Sequence, residues 1–432
     1  MEIKNVYIES YGCSANLNNS EIISGLLQSA GLFIVSNPKI ADLAIINTCI
    51  VKGPTEERMR ARIKELARKF GSRMIVSGCM PDALSDEIKK ISPKASLIGS
   101  HYLHEIRNAI KKISQGKIVC LRGQKNEVKL CVPKINKNKV IGITQILEGC
   151  LGNCSYCITR QAKGRLFTYP QEKIIENIRN DLKNGCKEIW LTSQDNAAYG
   201  LDEGKAKLPE LLNEIFNLKG KFFVRLGMMN PNHVLKILDE LVECYKNEKM
   251  FKFVHIPLQS GSDKVLNDME REYRASDFIR IIKKFRKEFS NITLSTDIIV
   301  GYPTETEKDF QETLKIIREA KPDILNISKF WPREKTEAAK LEQLDAKEVK
   351  GRATEAMEIH KIIALEENRK MINWRGMCLV DRHGFDNTYL ARNRDYKLIA
   401  LNGKNLLGRF LNAKIKAVTP HYLFGDVIEK DN

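Results

Sequence analysis

Histidine is scarce in this 432-residue chain, with seven in all, and no apolar run approaches the roughly eighteen residues that a membrane-crossing helix requires. The opening stretch MEIKNVYIES lacks the basic-then-apolar layout of a secretory leader. No internal repeat or low-complexity tract stands out. These absences exclude a membrane-spanning or repeat architecture and lead to the expectation of a cytoplasmic, multidomain protein with no membrane partner. An apolar content of 43% is enough for ordinary packed cores. The cysteines are eleven, an odd number scattered through a long chain, which excludes a disulfide framework and favours thiolate ligands in a reducing compartment.

Positive charge is abundant. Lys and Arg number 71 against 54 Asp and Glu, a net +17, which favours a polyanionic partner because neutralising phosphates releases counterions. The stretch from His104 to Val140 alone carries ten basic residues against two Glu, so it reads either as a solvated basic connector or as a nucleic-acid contact.

Cysteine placement carries the chemistry. In EGCLGNCSYCITR, Cys150, Cys154 and Cys157 are separated by three and then two residues. Tetrahedral zinc takes four ligands, and a four-iron cluster has four irons to hold, so three thiols leave one coordination position open. An open iron can bind a small molecule and pass it an electron. A second triad comes from topology. The apolar runs KNVYIESYGC, ADLAIINTC and SRMIVSGC end in Cys13, Cys49 and Cys79, spaced 36 and 30 residues apart with helical patterns between them. That spacing suits strand-helix-strand units, so the three strands are expected to be parallel neighbours whose thiols emerge on one sheet edge.

From VIGITQILEGC onward, six strand-like segments alternate with helical ones, two units short of a closed eight-stranded barrel. The expected fold is therefore α/β in three parts joined by a connector. An N-terminal open parallel-sheet domain spans 1–110, a basic connector 111–135, a central partial (β/α)6 barrel 136–370 and a small C-terminal β-barrel 371–432. The last is inferred from short alternating runs with turn signals about every ten residues. Arg392, Arg394, Tyr396 and Lys397 are its expected RNA-binding face.

The three-cysteine motif after the first strand of a six-unit barrel resembles the radical S-adenosylmethionine superfamily. Over nearly its full length the chain is similar to the methylthiotransferases, which end in a TRAM-type RNA-binding domain. CITRQAKGRL, EIWLTSQDNAAYG, RLGMMNP, HIPLQSGSDKVLNDMEREY, TDIIVGYPTETEKDFQET and FWPREKTEAAKLEQ resemble most the archaeal and eukaryotic branch acting on N6-threonylcarbamoyladenosine in tRNA. Glu334, Lys335 and Glu337 stand where that family usually has Gly and Pro, and Gln161 where His is common.

The resemblance implies two [4Fe-4S] clusters. Cys150, Cys154 and Cys157 would hold the one that cleaves S-adenosylmethionine to a 5′-deoxyadenosyl radical. Cys13, Cys49 and Cys79 would hold one that carries sulfur for transfer to C2 of the adenine. It further implies cofactor contacts at Tyr156, Gln194, Asp195, Arg225, His255, Gln259, Ser260, Asp297 and Gly301. As partners it implies the tRNA anticodon stem-loop, an electron donor and a sulfur source, for a chain expected to be monomeric. Cys120, Cys131, Cys186, Cys244 and Cys378 are read as core or surface thiols, and Met228 and Met229 as packing. Two alternatives stay open. One is the same chemistry on isopentenyladenosine or a ribosomal protein. The other is a zinc-bearing RNA-binding protein without catalysis, which needs a fourth ligand near each triad.

Overall fold

The structure is a computed structural model that describes residues 2–50 and 53–428, with the backbone alone at 53–55. Residue 1 and residues 429–432, the outer ends of the first and last expected domains, lie outside the described residues. Six parallel strands form the N-terminal sheet: β1 (Asn5–Ser10), β2 (Phe33–Val35), β3 (Leu43–Thr48), β4 (Met74–Gly78), β5 (Ser96–Gly99) and β6 (Cys120–Leu121). Their order is β2-β1-β3-β4-β5-β6. The order reverses between β1 and β3, the place where open α/β sheets leave a crevice at their strand ends. All of β3 and β4 is buried, which explains the continuous apolar runs LAII and MIV in strands covered on both faces.

The expected boundary at residue 110 is displaced. The helix Ile106–Ser114 crosses it, and β6 pairs parallel with β5, so the start of the expected connector completes the sheet. The basic stretch is also partly internal. Lys129 is 2% exposed and ion-paired with Glu148 at 2.5 Å, and Lys134 pairs with Asp181 at 2.9 Å. These charges were legible as basic residues, but their buried acidic partners lie in other segments.

The helix Ser14–Gln28 buries polar residues on two sides: Asn16 and Ser20 bond the N-terminal strands, while Glu21 meets the segment that leads into the central domain. One Glu21 oxygen accepts the Lys137 amide at 2.9 Å, while Oε2 has no partner among the described residues. Burial pushes its carboxyl up to about 7. A folded-state value raised from 4.5 means that stability is lost as pH rises from 4.5 to 7, by up to about 3 kcal/mol. Glu21→Gln is therefore expected to remove that fall, so that the variant melts above the wild type at pH 8 and shows little gain at pH 4.5.

The central domain contains the six expected strands. β7 (Ile141–Gln145) is followed by a short antiparallel ribbon, β8 (Leu147–Glu148) with β9 (Phe167–Thr168). Then come β10 (Glu188–Thr192), β11 (Phe223–Leu226), β12 (Phe253–His255), β13 (Thr293–Val300) and β14 (Ile324–Lys329). They form two parallel three-stranded sheets, β11-β10-β7 and β12-β13-β14, bridged at Val224 and Met250. The arc stays open, as six units predict.

Five strands close the C-terminal barrel: β15 (Arg375–His383), β16 (Thr388–Asn393), β17 (Leu398–Asn402), β18 (Phe410–Val418) and β19 (Leu423–Ile428). This barrel caps the N-terminal ends of the central strands. Val140, Phe223, Phe251 and Phe253 pack there against Leu379 and Tyr396, Lys252 N donates to Arg394 O at 2.8 Å, and Lys397 pairs with Asp323. The expected RNA-binding face is corrected accordingly. Tyr396 and Lys397 are 5% and 9% exposed, buried in the interdomain seam, and Arg392 lies over the Tyr396 ring and donates to its carbonyl. Of the four, Arg394 alone has an exposed side chain.

Candidate active site

The cluster loop begins with a glycine that cannot be replaced cheaply. Gly149 has φ +82°, and a Cβ there would lie 1.9 Å from Arg165 O. Its N–H donates to Gln194 Oε1 at 2.9 Å, so Gln194, at the end of β10, fixes the loop that carries Cys150. The thiols then gather around Gly152. Its amide donates to Cys150 Sγ at 3.3 Å, and a Cβ on it would lie 3.5 and 3.7 Å from Cys150 and Cys154 Sγ. Cys157 N closes the turn onto Cys154 O at 3.0 Å. Burial pushes the Cys150 thiol up to about 11, so metal binding there must displace a proton.

Cys13, Cys49 and Cys79 follow three neighbouring parallel strands. Registers Ser10 with Asn47 and Thr48 with Gly78 bring β1, β3 and β4 to one edge. Cys13 opens the helix Ser14–Gln28, Cys79 opens the short helix Met80–Ala83, and Cys49 precedes the helix Gly53–Phe70. A Cβ on Gly12 would come within 2.8 Å of Cys49 Sγ. Asn16 ties the edge together: Nδ2 donates to Tyr11 O and Thr48 O, and Oδ1 stands 3.8 Å from Cys79 Sγ. The N-terminal end of a helix favours the anionic form of such ligands. Among the described residues no three His, Cys, Asp or Glu side chains converge on the position of a single metal ion, whereas three thiols set around a shared edge suit the wider spacing of cluster irons.

The domains that carry the two sets of cysteines meet beside both of them. Ser14 Oγ, next to Cys13, lies 2.6 Å from Thr192 Oγ1 at the end of β10. Arg333, in the loop after β14, pairs with Glu56 on the helix that follows Cys49.

The expected cofactor contacts divide. His255 Nε2 lies 2.7 Å from Asp297 Oδ2, and Asn326 donates to Asp297 Oδ1 at 2.8 Å, so β12, β13 and β14 carry a connected polar ladder. Arg225 lies over the Trp190 and Phe253 rings, and its Nε has no partner among the described residues. Tyr156 packs beside Met269 and Tyr302, and burial raises its phenol well above the ordinary value. Gln259 is half-buried at φ +65° and its backbone bridges to β13.

Three expected contacts are committed elsewhere. Asp195 is 1% exposed and accepts from Ala197 N, Asn230 N, Asn230 Nδ2 and the His233 ring, which leaves no edge for a ligand. Ser260 is fully buried beside Thr313. Gly301 turns the chain at φ +76°, and a Cβ there would strike Val349 at 2.4 Å. Each belongs to the scaffold around the site.

One contact was missed from sequence. Arg271 Nη1 donates to Cys154 Sγ at 3.1 Å, its Nη2 to Asn230, and its plane covers the Tyr273 ring. Nothing in REY marks an arginine that folds back over a ligand 117 residues earlier.

The unusual residues Gln161 and Lys335 meet, since Gln161 Nε2 donates to Lys335 O at 3.2 Å. Lys335 sits at φ +66°, a conformation that favours glycine. Lys335→Gly keeps the carbonyl and is expected to raise stability by about 1 kcal/mol, read as a higher melting temperature.

Comparison with known proteins matches this arrangement. The radical SAM superfamily profile matches residues 144–317, the profile described as "Uncharacterized protein family UPF0004" residues 5–99, and the TRAM domain residues 378–428. A probable threonylcarbamoyladenosine tRNA methylthiotransferase of Methanothermobacter thermautotrophicus is 39% identical over 98% of this chain and 99% of its own. The threonylcarbamoyladenosine tRNA methylthiotransferase of Homo sapiens is 35% identical over 99% of this chain and 74% of its own. Among solved structures, a radical S-adenosylmethionine methyltransferase from Kitasatospora setae superposes with a TM-score of 0.55 at 13% identity, over 78% of this chain and 77% of that one, a likeness of fold. With three matching domains in order and relatives aligned along nearly its whole length, the chain belongs to the radical SAM family of threonylcarbamoyladenosine tRNA methylthiotransferases.

Proposed function

We propose that this enzyme adds a methylthio group to C2 of N6-threonylcarbamoyladenosine next to the anticodon of tRNA. The observation that carries the reading is that each parallel domain sets three cysteines beyond the C-terminal ends of its strands, and that the two domains join beside them through Ser14 with Thr192 and Glu56 with Arg333. Family membership implies S-adenosylmethionine and one [4Fe-4S] cluster, and the N-terminal triad is the proposed seat of a second. When bound, these groups supply a one-electron route to an unactivated C–H bond and a sulfur to place there.

The chain's own residues bind, orient and insulate. Cys150, Cys154 and Cys157 would hold the first cluster, and Arg271 donates to Cys154 Sγ, a position from which hydrogen bonding would tune the metal. The ladder of His255, Asp297 and Asn326 offers oriented donors and acceptors to polar groups of cofactor or substrate. The unpartnered Arg225 Nε is a donor for an anionic group. Cys13, Cys49 and Cys79 would hold the second cluster. With Tyr396 and Lys397 buried, the C-terminal barrel keeps an aromatic surface at Phe385, 89% exposed on a hairpin turn, and at Tyr422 and Phe424. That surface is the proposed place for unpaired bases to stack. An electron donor, a sulfur source, a cytoplasmic location and a monomeric state complete the reading. No helix among the described residues is long and apolar enough to cross a membrane.

Anaerobically reconstituted protein given S-adenosylmethionine, a reductant and tRNA with or without the threonylcarbamoyl group provides the test. A methylthio mass gain on the threonylcarbamoylated nucleoside alone is expected. Gain on isopentenyladenosine, or on neither RNA, would move the substrate elsewhere.

A further inference from the structure

Between the two thiol sets lies a buried group of charges that no catalytic role has so far absorbed. Glu148 ends β8, two residues before Cys150, and is 2% exposed. Its Oε1 lies 2.9 Å from Lys163 Nζ and its Oε2 2.5 Å from Lys129 Nζ, and both lysines are buried as completely. Lys129 also donates to Ser100 O at 2.8 Å, and Tyr169 OH reaches Glu148 Oε2 at 3.4 Å. His101 stands 3.6 Å away, and burial lowers its affinity for a proton. Two ammonium groups thus share one carboxylate. Buried charge is costly unless balanced, and this group carries one positive charge in excess.

The excess sits toward the N-terminal triad. The helix Thr159–Lys163 leaves the barrel's own cluster loop and packs on the N-terminal domain, with Ile158 and Ala162 against Cys79, Met80 and Ala83. Gly164, at φ +72°, ends the helix and returns the chain to β9. Lys163 at its last position lies within electrostatic range of Cys79 and Cys13. Asp82, a further acid within electrostatic range of Lys163, accepts the Gly123 amide at 2.8 Å and also faces Arg122.

We propose that Lys163 is the buried counter-charge of the cluster held by Cys13, Cys49 and Cys79, a positioning residue lent across the seam by the segment that carries the other three cysteines. A four-iron cluster on three thiolates is anionic, and its potential follows the net charge around it. The excess positive charge then makes the N-terminal cluster easier to reduce and favours an anionic sulfur on its open iron. It also ties the assembly of one site to the packing of the other. The inference rests on the two-cluster reading.

The test uses the full chain with Cys150, Cys154 and Cys157 replaced by alanine, reconstituted anaerobically, so that iron and spectra report the N-terminal site alone. About four irons per chain are expected. In a potentiometric titration followed by electron paramagnetic resonance, Lys163→Gln should shift the midpoint to more negative potential and Lys163→Arg should leave it near the parent. Glu148→Gln, which removes a negative charge from the same group, should shift it the other way, so the result does not depend on one variant. Absence of iron in the parent overturns the two-cluster reading. Four irons with a midpoint insensitive to Lys163→Gln and Glu148→Gln overturns the role of Lys163.

Discussion

Cys154→Ala is expected to reduce both methylthio transfer and cleavage of S-adenosylmethionine to background, whereas Cys49→Ala should abolish transfer and leave cleavage running. The two outcomes differ because the thiols belong to different domains. Cys154 lies in the loop pinned by Gln194 and covered by Arg271, at the mouth of the strands that carry the His255 and Asp297 ladder. Cys49 follows β3 in the N-terminal sheet, so its loss leaves the barrel site intact. Arg271→Met should fall between them, at about a 10- to 100-fold loss, because it touches a ligand sulfur without being a ligand. Counting 5′-deoxyadenosine and methylthiolated nucleoside in the same reactions separates the cases. Loss of cleavage in Cys49→Ala would contradict the division of labour.

The largest effect on stability is expected at Glu148. Glu148→Ala leaves Lys129 and Lys163 buried without their carboxylate, and breaking a buried pair of this kind costs about 3–5 kcal/mol. Burial alone would raise the Glu148 carboxyl, but Lys129 and Lys163 outweigh it and hold the group far below the ordinary carboxylate range. A lowered folded-state value contributes stability that is present above the unfolded value of 4.5 and lost as pH falls through the folded one. The wild type should therefore keep this contribution at pH 5, and the difference from the variant should narrow only in strong acid. Urea unfolding at pH 7 and pH 5 measures both points. A variant as stable as the wild type at pH 7 would mean that the two lysines find other partners.

The three strands that run into cysteines were legible because the chain marks them twice, by apolar runs and by the residue that ends each one, whereas the short strands β2, β5 and β6 of the same sheet lack that pairing of marks. β1, β3 and β4 each run into a cysteine on one edge, and the spacing between them alone implied parallel neighbours. The six barrel strands were legible for the same reason. What sequence could not supply was partnership between distant segments. Lys129 reads as one of ten basic residues in a charged stretch until its carboxylate, nineteen positions away, is seen. Tyr396 and Lys397 look like an RNA-binding strand, yet they sit on a turn that fills the open end of another domain. Asp195 looks placed for a cofactor, but Asn230 and His233 take its oxygens. Charge and aromaticity mark residues that need a partner, and burial decides whether that partner is a ligand or the protein itself.

The most direct measurement of the central claim uses tRNA carrying threonylcarbamoyladenosine with deuterium at adenine C2, reacted with reconstituted enzyme, S-adenosylmethionine and a reductant. The account predicts that the methylthiolated nucleoside loses that deuterium and that 5′-deoxyadenosine gains it. Retention of deuterium in a methylthiolated product would place the reaction at another atom and contradict it.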